Sequence, residues 1–156
     1  MFSSFRQQIA IPFVLLIVLL MVGLGVYLSS FLRQIYLNNL NTQLIADAKL
    51  IGDGIENILE GGVGTEALDP LAKRWSELID LRVTIIAPDG IVLGESNVDR
   101  SQMENHGDRP EFIAAIASGT GISTRFSRTT GNQTIYVAIP ASVYDDLVAI
   151  ARVSLP

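Results

Sequence analysis

The sequence predicts an α+β domain carried on one long helix, and three observations predict it. From Ile9 to Leu32 the chain reads IAIPFVLLIVLLMVGLGVYLSSFL with no charged residue, between Arg6 and Arg33. From Leu37 onward, Leu40, Leu44, Ala48, Ile51, Ile55 and Ile58 follow at steps of three and four, the spacing of an apolar helix face. After Leu81 come strand-like runs joined by hairpin-length turns, with one helix among them. Such an order implies an antiparallel sheet of about five strands with helices packed on one face.

The first stretch is a transmembrane helix by length and composition. At about 1.5 Å per residue it spans roughly 36 Å, enough for a hydrocarbon core of about 30 Å with some tilt. A secretory signal would have an apolar region of roughly 7 to 15 residues and a small-residue cleavage site. The run here is longer, and Ser29-Ser30 is a poor cleavage context. An uncleaved anchor is expected, with Pro12 in its first turn, where a missing N–H costs little. The short N-terminal tail makes N-in, domain-out the simpler orientation. The expected divisions are a cytoplasmic tail over 1–8, the membrane helix over 9–32, a membrane-proximal helix over 33–60 and an extracytoplasmic domain over 61–156.

The second helix should continue the first, ending at Gly61-Gly62. Its apolar face can pack on its own domain or pair with a second copy. The residues nearest the membrane have little else to pack on. Leu37, Leu40, Leu44, Ala48, Ile51 and Ile55 are therefore the expected dimerisation seam. Asp69-Pro70 is read as an N-cap and N1 pair opening a helix through Leu78, with Trp75 as a core or membrane-interface anchor.

Val83 to Ala87 and Ile91 to Leu93 form a hairpin around Pro88-Asp89-Gly90. A polar loop covers Gly94 to Gly107. Asp108 and Glu111 flank Pro110 as a capping box would, opening a helix Arg109 to Ser118 with Phe112, Ile113 and Ile116 on the buried side. Gly121 to Arg128, Gln133 to Ile139 and Leu147 to Leu155 complete the strands. Thr130-Gly131-Asn132 makes one turn and Asp145-Asp146 the other. Tyr136 to Ile139 is apolar on both faces, as in a central strand.

The chemistry is bounded by what the chain lacks. A formal net charge of −5 without a Lys/Arg cluster gives no nucleic-acid footprint. Cysteine is absent and His106 is the single histidine, which excludes disulfides, cysteine metal sites and two-histidine zinc motifs. No GxSxG, P-loop or dinucleotide fingerprint occurs, so no catalytic residue is assigned. Glu104, His106 and Asp108 imitate a metal site but lack further ligands, and no metal is expected. Arg109, Arg125 and Arg128 remain. Strand alternation puts Arg125 opposite Phe126, where it can bind a carboxylate or phosphate, or simply pair with a surface acid.

RVTIIAPDGIVLGES, MENHGDRPEF, GISTRFSRTTG, IYVAIP and ARVSLP together resemble the extracytoplasmic PAS-like (single-Cache-like) sensor region of bacterial sensor histidine kinases, nearest the PhoR-like and WalK-like type. The likeness covers Arg82 to Pro156, and the anchor and rod stand where that family has them. Gly94-Glu95-Ser96 departs from the Asp-Ser such proteins often show. The resemblance implies a PAS-like fold, a parallel homodimer and a place in the cell membrane with the sensor domain exported. It also implies a small anionic ligand or an extracytoplasmic protein partner. Arg125, Arg109, His106 and Asn105 are the candidate ligand-binding residues. The chain would be the input module of a two-component receptor, shifting helices across the membrane. It carries no cofactor of its own; ATP and Mg²⁺ are expected only for a kinase domain beyond Pro156. Rival expectations are the same domain on a chemotaxis receptor or diguanylate cyclase, a free-standing anchored binding protein, and an anchored hydrolase, which the missing nucleophile disfavours.

Overall fold

One helix, α1 (Phe5–Glu60), opens the chain in the computed structural model, which describes residues 5–127 and 131–156. Two compact units divide the chain, one ending at Leu40 and the other running Asn41–Pro156. In the first, every large apolar side chain from Ile11 to Leu32 is exposed, and the stretch is long and apolar enough to cross a membrane. α1 begins at Phe5, ahead of the apolar run, so Pro12 lies inside the helix rather than in its first turn.

In the second unit, Leu44, Ala48, Ile51 and Ile55 are all buried within the domain itself. Four positions of the expected dimerisation seam are thus core, because the sheet offers them more apolar surface than a second helix would need to. Leu37 and Leu40, in the first unit, stay exposed and half-buried. α1 stops at Glu60, with Gly61 N–H donating to Asn57 O and Val63 N–H to Ile58 O, as the Gly-Gly pair predicts.

A 3-10 turn (Thr65–Ala67) leads into α2 (Leu68–Ile79). Ala67, not Asp69, is the N-cap. The turn carries the helix start one residue earlier, and Asp69 instead pairs with Lys73 at 2.8 Å and accepts from Glu95 N–H. Trp75 is half-buried with its ring against Gly54 of α1, where a Cβ would stand 2.9 Å from Cζ2. It is a packing anchor between α2 and the end of α1.

The sheet comprises β1 (Arg82–Ile86), β2 (Val92–Glu95), β3 (Gly121–Phe126), β4 (Gln133–Val143) and β5 (Asp146–Leu155). Its order is β2-β1-β5-β4-β3, and every pairing is antiparallel. β4 runs four residues past Ile139, and Tyr144-Asp145, both at positive φ, make the turn into β5. Arg128, Thr129 and Thr130, part of the expected third strand and its turn, lie outside the described residues. Tyr136, Val137, Ala138 and Ile139 are all buried, as a central strand requires.

The two faces of the sheet differ in chemistry. Val83, Ile85, Val137, Ile139, Ala151 and Val153 share one face by alternation and register, all buried. α1 meets this face where Gly52 lies by Ile139 Cγ2, and Glu56 accepts from Ser142 N–H at 2.6 Å. The other face reads Arg82, Thr84 and Ile86 on β1, then Ser154, Arg152 and Ile150 on β5, then Tyr136 and Ala138 on β4. α3 (Pro110–Ser118) covers its apolar end, through Phe112 and Ala115 against Ile86, Ala138 and Ile150. Helices therefore cover both faces, not one. Ile113 and Ile116, expected inside, are about half exposed. The side of α3 that turns inward carries Glu111 instead, and the reason is electrostatic.

Candidate functional site

The polar face holds a buried ionic layer. Arg152, on β5, is 2% exposed; its Nη1 donates to Glu111 Oε1 at 3.2 Å and its Nη2 to Thr84 Oγ1 at 3.1 Å. Arg82 forms a two-pronged pair with Glu95, at 2.8 and 3.2 Å, and Thr84 donates to the same carboxylate. Arg125 reaches Glu111 through Nη2 at 2.8 Å, and Ser123 donates to Glu111 at 2.6 Å. Tyr136 lies beneath two guanidiniums, with Arg125 Cζ 4.0 Å and Arg152 Cζ 5.2 Å from its ring centroid. Stacking on an aromatic face suits a guanidinium that must be held in place.

Register explains why these groups meet. Glu95 is opposite Thr84, and Thr84 opposite Arg152 across three strands, so the row alternates acid, hydroxyl and base. Glu111 enters from α3. It was expected to cap its own helix, but Arg109 is the N-cap and no side chain caps the helix. Arginines on β3 and β5 draw the carboxylate inward. Burial alone would raise its pKa; the hydrogen bonds from Arg125 and Ser123 and the charge of Arg152 outweigh that and hold it at about 2. Burial pushes Arg152 down to about 10, leaving it charged at neutral pH.

Above this layer opens a cleft of about 550 Å³. Arg82, Arg109, Arg125 and Arg152 line it, with His106 and Tyr136, while Val98, Met103 and Phe126 supply apolar wall. Three of the four expected ligand-binding residues come together here. Arg125 faces the cleft and pairs with a buried acid rather than a surface one. Arg109 stands at the wall between Glu104 and Asp108, each at 3.4 Å. The acids that imitated a metal site are thus engaged by a guanidinium, and no cluster of metal-ligating side chains occurs among the described residues. His106 is 7% exposed, and its Nδ1 has no hydrogen-bond partner.

Asn105 does not line the cleft. Its Nδ2 donates to Asp89 O and its Oδ1 accepts from Gly107 N–H, both at 2.8 Å. His106 N–H donates to Gly90 O at 2.8 Å. This segment clamps the β1–β2 turn and so fixes His106 in the wall. Arg128, also singled out from the sequence, lies outside the described residues.

Arg82, Arg152, Glu95, Glu111 and Tyr136 were not singled out from the sequence. The available signal was a charged residue embedded in an apolar strand, LRVTII and AIARVSL, which a soluble sheet tolerates only when paired.

Burial, and then the arginines on β5, at the α3 N-cap, on β1 and on β3, push the His106 pKa down to about 3. A folded pKa below the unfolded value of about 6.5 means the unfolded chain binds the extra proton. Stability from this group is complete above about pH 6.5 and is lost as pH falls toward the folded value. At about pH 5 the loss is roughly 1–2 kcal/mol, one proton over about 1.5 pH units at most. Because His106 is the only histidine, its imidazole NMR signals are unambiguous. They should hold constant from about pH 8 to pH 5, where a solvated histidine titrates near 6.5. The His106→Gln variant should lose the dependence of stability on pH in that range. A normal titration near 6.5 would remove the buried neutral imidazole from the description.

The comparisons agree on the fold. The family described as Single Cache-like matches residues 34–145. No curated protein matches the chain. Among solved structures, the ligand-binding domain of the Campylobacter jejuni chemoreceptor Tlp3, in complex with 4-methylisoleucine, aligns with a TM-score of 0.62 at 13% identity, over 77% of this chain and 52% of that one. The V. cholerae histidine kinase DctB sensor domain aligns at 0.53 and 19% identity, over 78% and 56%. The same Tlp3 domain with L-valine gives 0.59 at 11%, over 77% and 54%. The chain spans about half the length of these structures, and at such identities the likeness is one of fold. With the family match covering most of its residues, the chain belongs to the single Cache-like family.

Proposed function

We propose that this chain is the sensing input of a membrane receptor, most specifically of a two-component sensor histidine kinase. Its single Cache-like domain is extracytoplasmic and binds a small anionic ligand in the arginine-lined cleft. The observation that carries the reading is the cleft itself. Four guanidiniums and an imidazole whose Nδ1 has no hydrogen-bond partner surround open space on the sheet face, an arrangement suited to an anion. The cleft floor includes Arg152 of β5, the last strand before Pro156. Occupancy can therefore bias the strand leading out of the domain. Packed elements switch between discrete arrangements, which is how a ligand moves a distant output. ATP and Mg²⁺ would belong to a kinase domain following residue 156. The structural likeness to a chemoreceptor domain, TM-score 0.62, supports a second reading in which the same domain drives a chemotaxis output.

A receptor of either kind pairs in the membrane. We place the pairing at Leu37 and Leu40 and along the membrane helix, since the seam from Leu44 to Ile55 is filled by its own domain. The chain has no cysteine, so single cysteines report cleanly. In membranes, Leu37→Cys and Leu40→Cys should give disulfide-linked dimers on oxidation, and Ala48→Cys should not. A monomer with cysteine at both Leu37 and Leu40 would overturn the receptor reading.

A further inference from the structure

We propose that the outer side of α3 is a contact between two copies of this chain, joining the two domains through the helices that wall their clefts. The inference rests on the receptor reading, which supplies the pairing, and adds the surface on which the domains meet.

The composition of α3 carries the first step. The helix reads PEFIAAIAS, and its one charged residue, Glu111, is turned inward and fully buried. Pro110, Ile113 and Ala117 stand exposed at steps of three and four, with Ile116 beside them and Ala114 half-buried between. Ile113 is 55% and Ile116 49% exposed. Ser118, the other polar residue of the helix, donates its hydroxyl back to Ala114 O at 2.9 Å. The ionic layer explains why Glu111 points inward. It does not explain why the side facing water carries no polar group in exchange. The other helix exteriors of this unit follow the usual rule: α1 exposes Lys49, Asp53 and Glu60, and α2 exposes Lys73, Arg74 and Glu77. Two isoleucines on adjacent turns among alanines make a contiguous patch, which marks an interaction site more than scattered apolar residues do.

Size chooses the occupant. Nine helical residues present a face roughly 13 Å long and about 10 Å wide. A freely diffusing protein partner needs about 800 Å² on each side, several times what this face offers. Chains tethered in one membrane meet at high effective concentration, and there a small contact suffices. The second copy is the partner that such tethering supplies. The face also suits itself, since without a charge it opposes no like charges when two copies meet. Contact through the seam of α1 is closed, because Leu44, Ala48, Ile51 and Ile55 are filled by their own domain.

The placement has a consequence for the clefts. α3 carries Glu111 into the ionic layer, and its N-cap, Arg109, stands in the cleft wall. A helix held on its outer side by a second copy ties the wall of one cleft to that of the other.

The test is disulfide trapping of the full chain in membranes at high lipid-to-protein ratio. The chain has no cysteine, so each single variant reports one position. Ile113→Cys and Ile116→Cys should form linked dimers alongside Leu37→Cys. Leu78→Cys and Tyr144→Cys, at positions 72% and 82% exposed, should stay at background. Adding Ile116→Lys to Ile113→Cys should slow the crosslink at least about fivefold by placing a charge in the contact. A lysine suits the last turn of a helix, and circular dichroism checks that the variant folds. Crosslinking at Leu37→Cys with both α3 cysteines at background would overturn the inference and leave the receptor reading standing. So would an Ile113→Cys crosslink that Ile116→Lys leaves unchanged. Crosslinking on α3 without any at Leu37 or Leu40 would sink the receptor reading and leave the α3 contact standing.

Discussion

Glu111→Ala should destabilise the domain by about 3–5 kcal/mol, because it leaves two guanidiniums facing a void where their shared counter-ion stood. Glu111 is fully buried at the start of α3, and Arg152, also buried, has no other carboxylate within ion-pair distance among the described residues. Arg125→Ala should cost less, roughly 1–2 kcal/mol, because Arg125 is partly exposed and Glu111 keeps Arg152 and Ser123. Urea denaturation of the full chain, followed by Trp75 fluorescence and circular dichroism, measures both. Equal costs would mean that the acid is not the keystone of the layer.

The same pair of residues bears on why the layer exists. Replacing a buried ion network by well-packed hydrocarbon is often neutral or stabilising. The double variant Glu111→Leu with Arg152→Met should therefore recover much of what Glu111→Ala loses. A charged floor is a poor way to stabilise this sheet, whose other face shows how hydrocarbon does it with Val83, Ile85, Val137 and Val153. Its use lies in holding guanidiniums rigid beneath the cleft, where a free side chain would lose rotamer entropy on each binding event.

How far the sequence was legible follows from which forces act locally. The helix end at Gly61-Gly62, the Asp89-Gly90 hairpin and the apolar strand Tyr136 to Ile139 are set by neighbours in sequence, and the structure has them as read. The misreadings that bear on the cleft and its floor involve a partner distant in sequence. Glu95 was assigned to a loop because its own stretch is polar; it is a buried strand residue because Arg82 is across from it. Glu111 was assigned to a cap because Asp108 precedes it by three; its partners lie on β3 and β5. Ile113 and Ile116 looked like the inner side of α3, but that side is set by where Glu111 must point. The apolar seam of α1 was visible, and only the sheet could say that it would be consumed at Leu44, Ala48, Ile51 and Ile55. Of the cleft, Arg109, Arg125 and His106 could be found from loop and strand position. Arg82 and Arg152 needed the β1–β5 register.

Gly121→Val should cost about 3 kcal/mol and disable the cleft as well, because α3 rests on β3 backbone-to-backbone at that point. A Cβ on Gly121 would collide with the Glu111 carbonyl oxygen and stand 2.8 Å from Ala115 N. Neither atom can move alone, since both belong to the helix that carries Glu111 into the sheet and Arg109 into the wall. The helix must lift as a unit, and overpacking of this kind costs about 1–3 kcal/mol before the ionic layer is disturbed. Gly119→Ala is the control. That residue caps α3 at φ 77° with open space around it. Alanine there adds backbone strain of about 1 kcal/mol without displacing the helix. The imidazole of His106 distinguishes the two cases. In Gly119→Ala it should remain untitrated to about pH 5, whereas in Gly121→Val, with the wall loosened and water admitted, it should titrate closer to its free value of about 6.5. A Gly121→Val protein that keeps both its stability and the silent histidine would show that α3 is not the element setting the cleft.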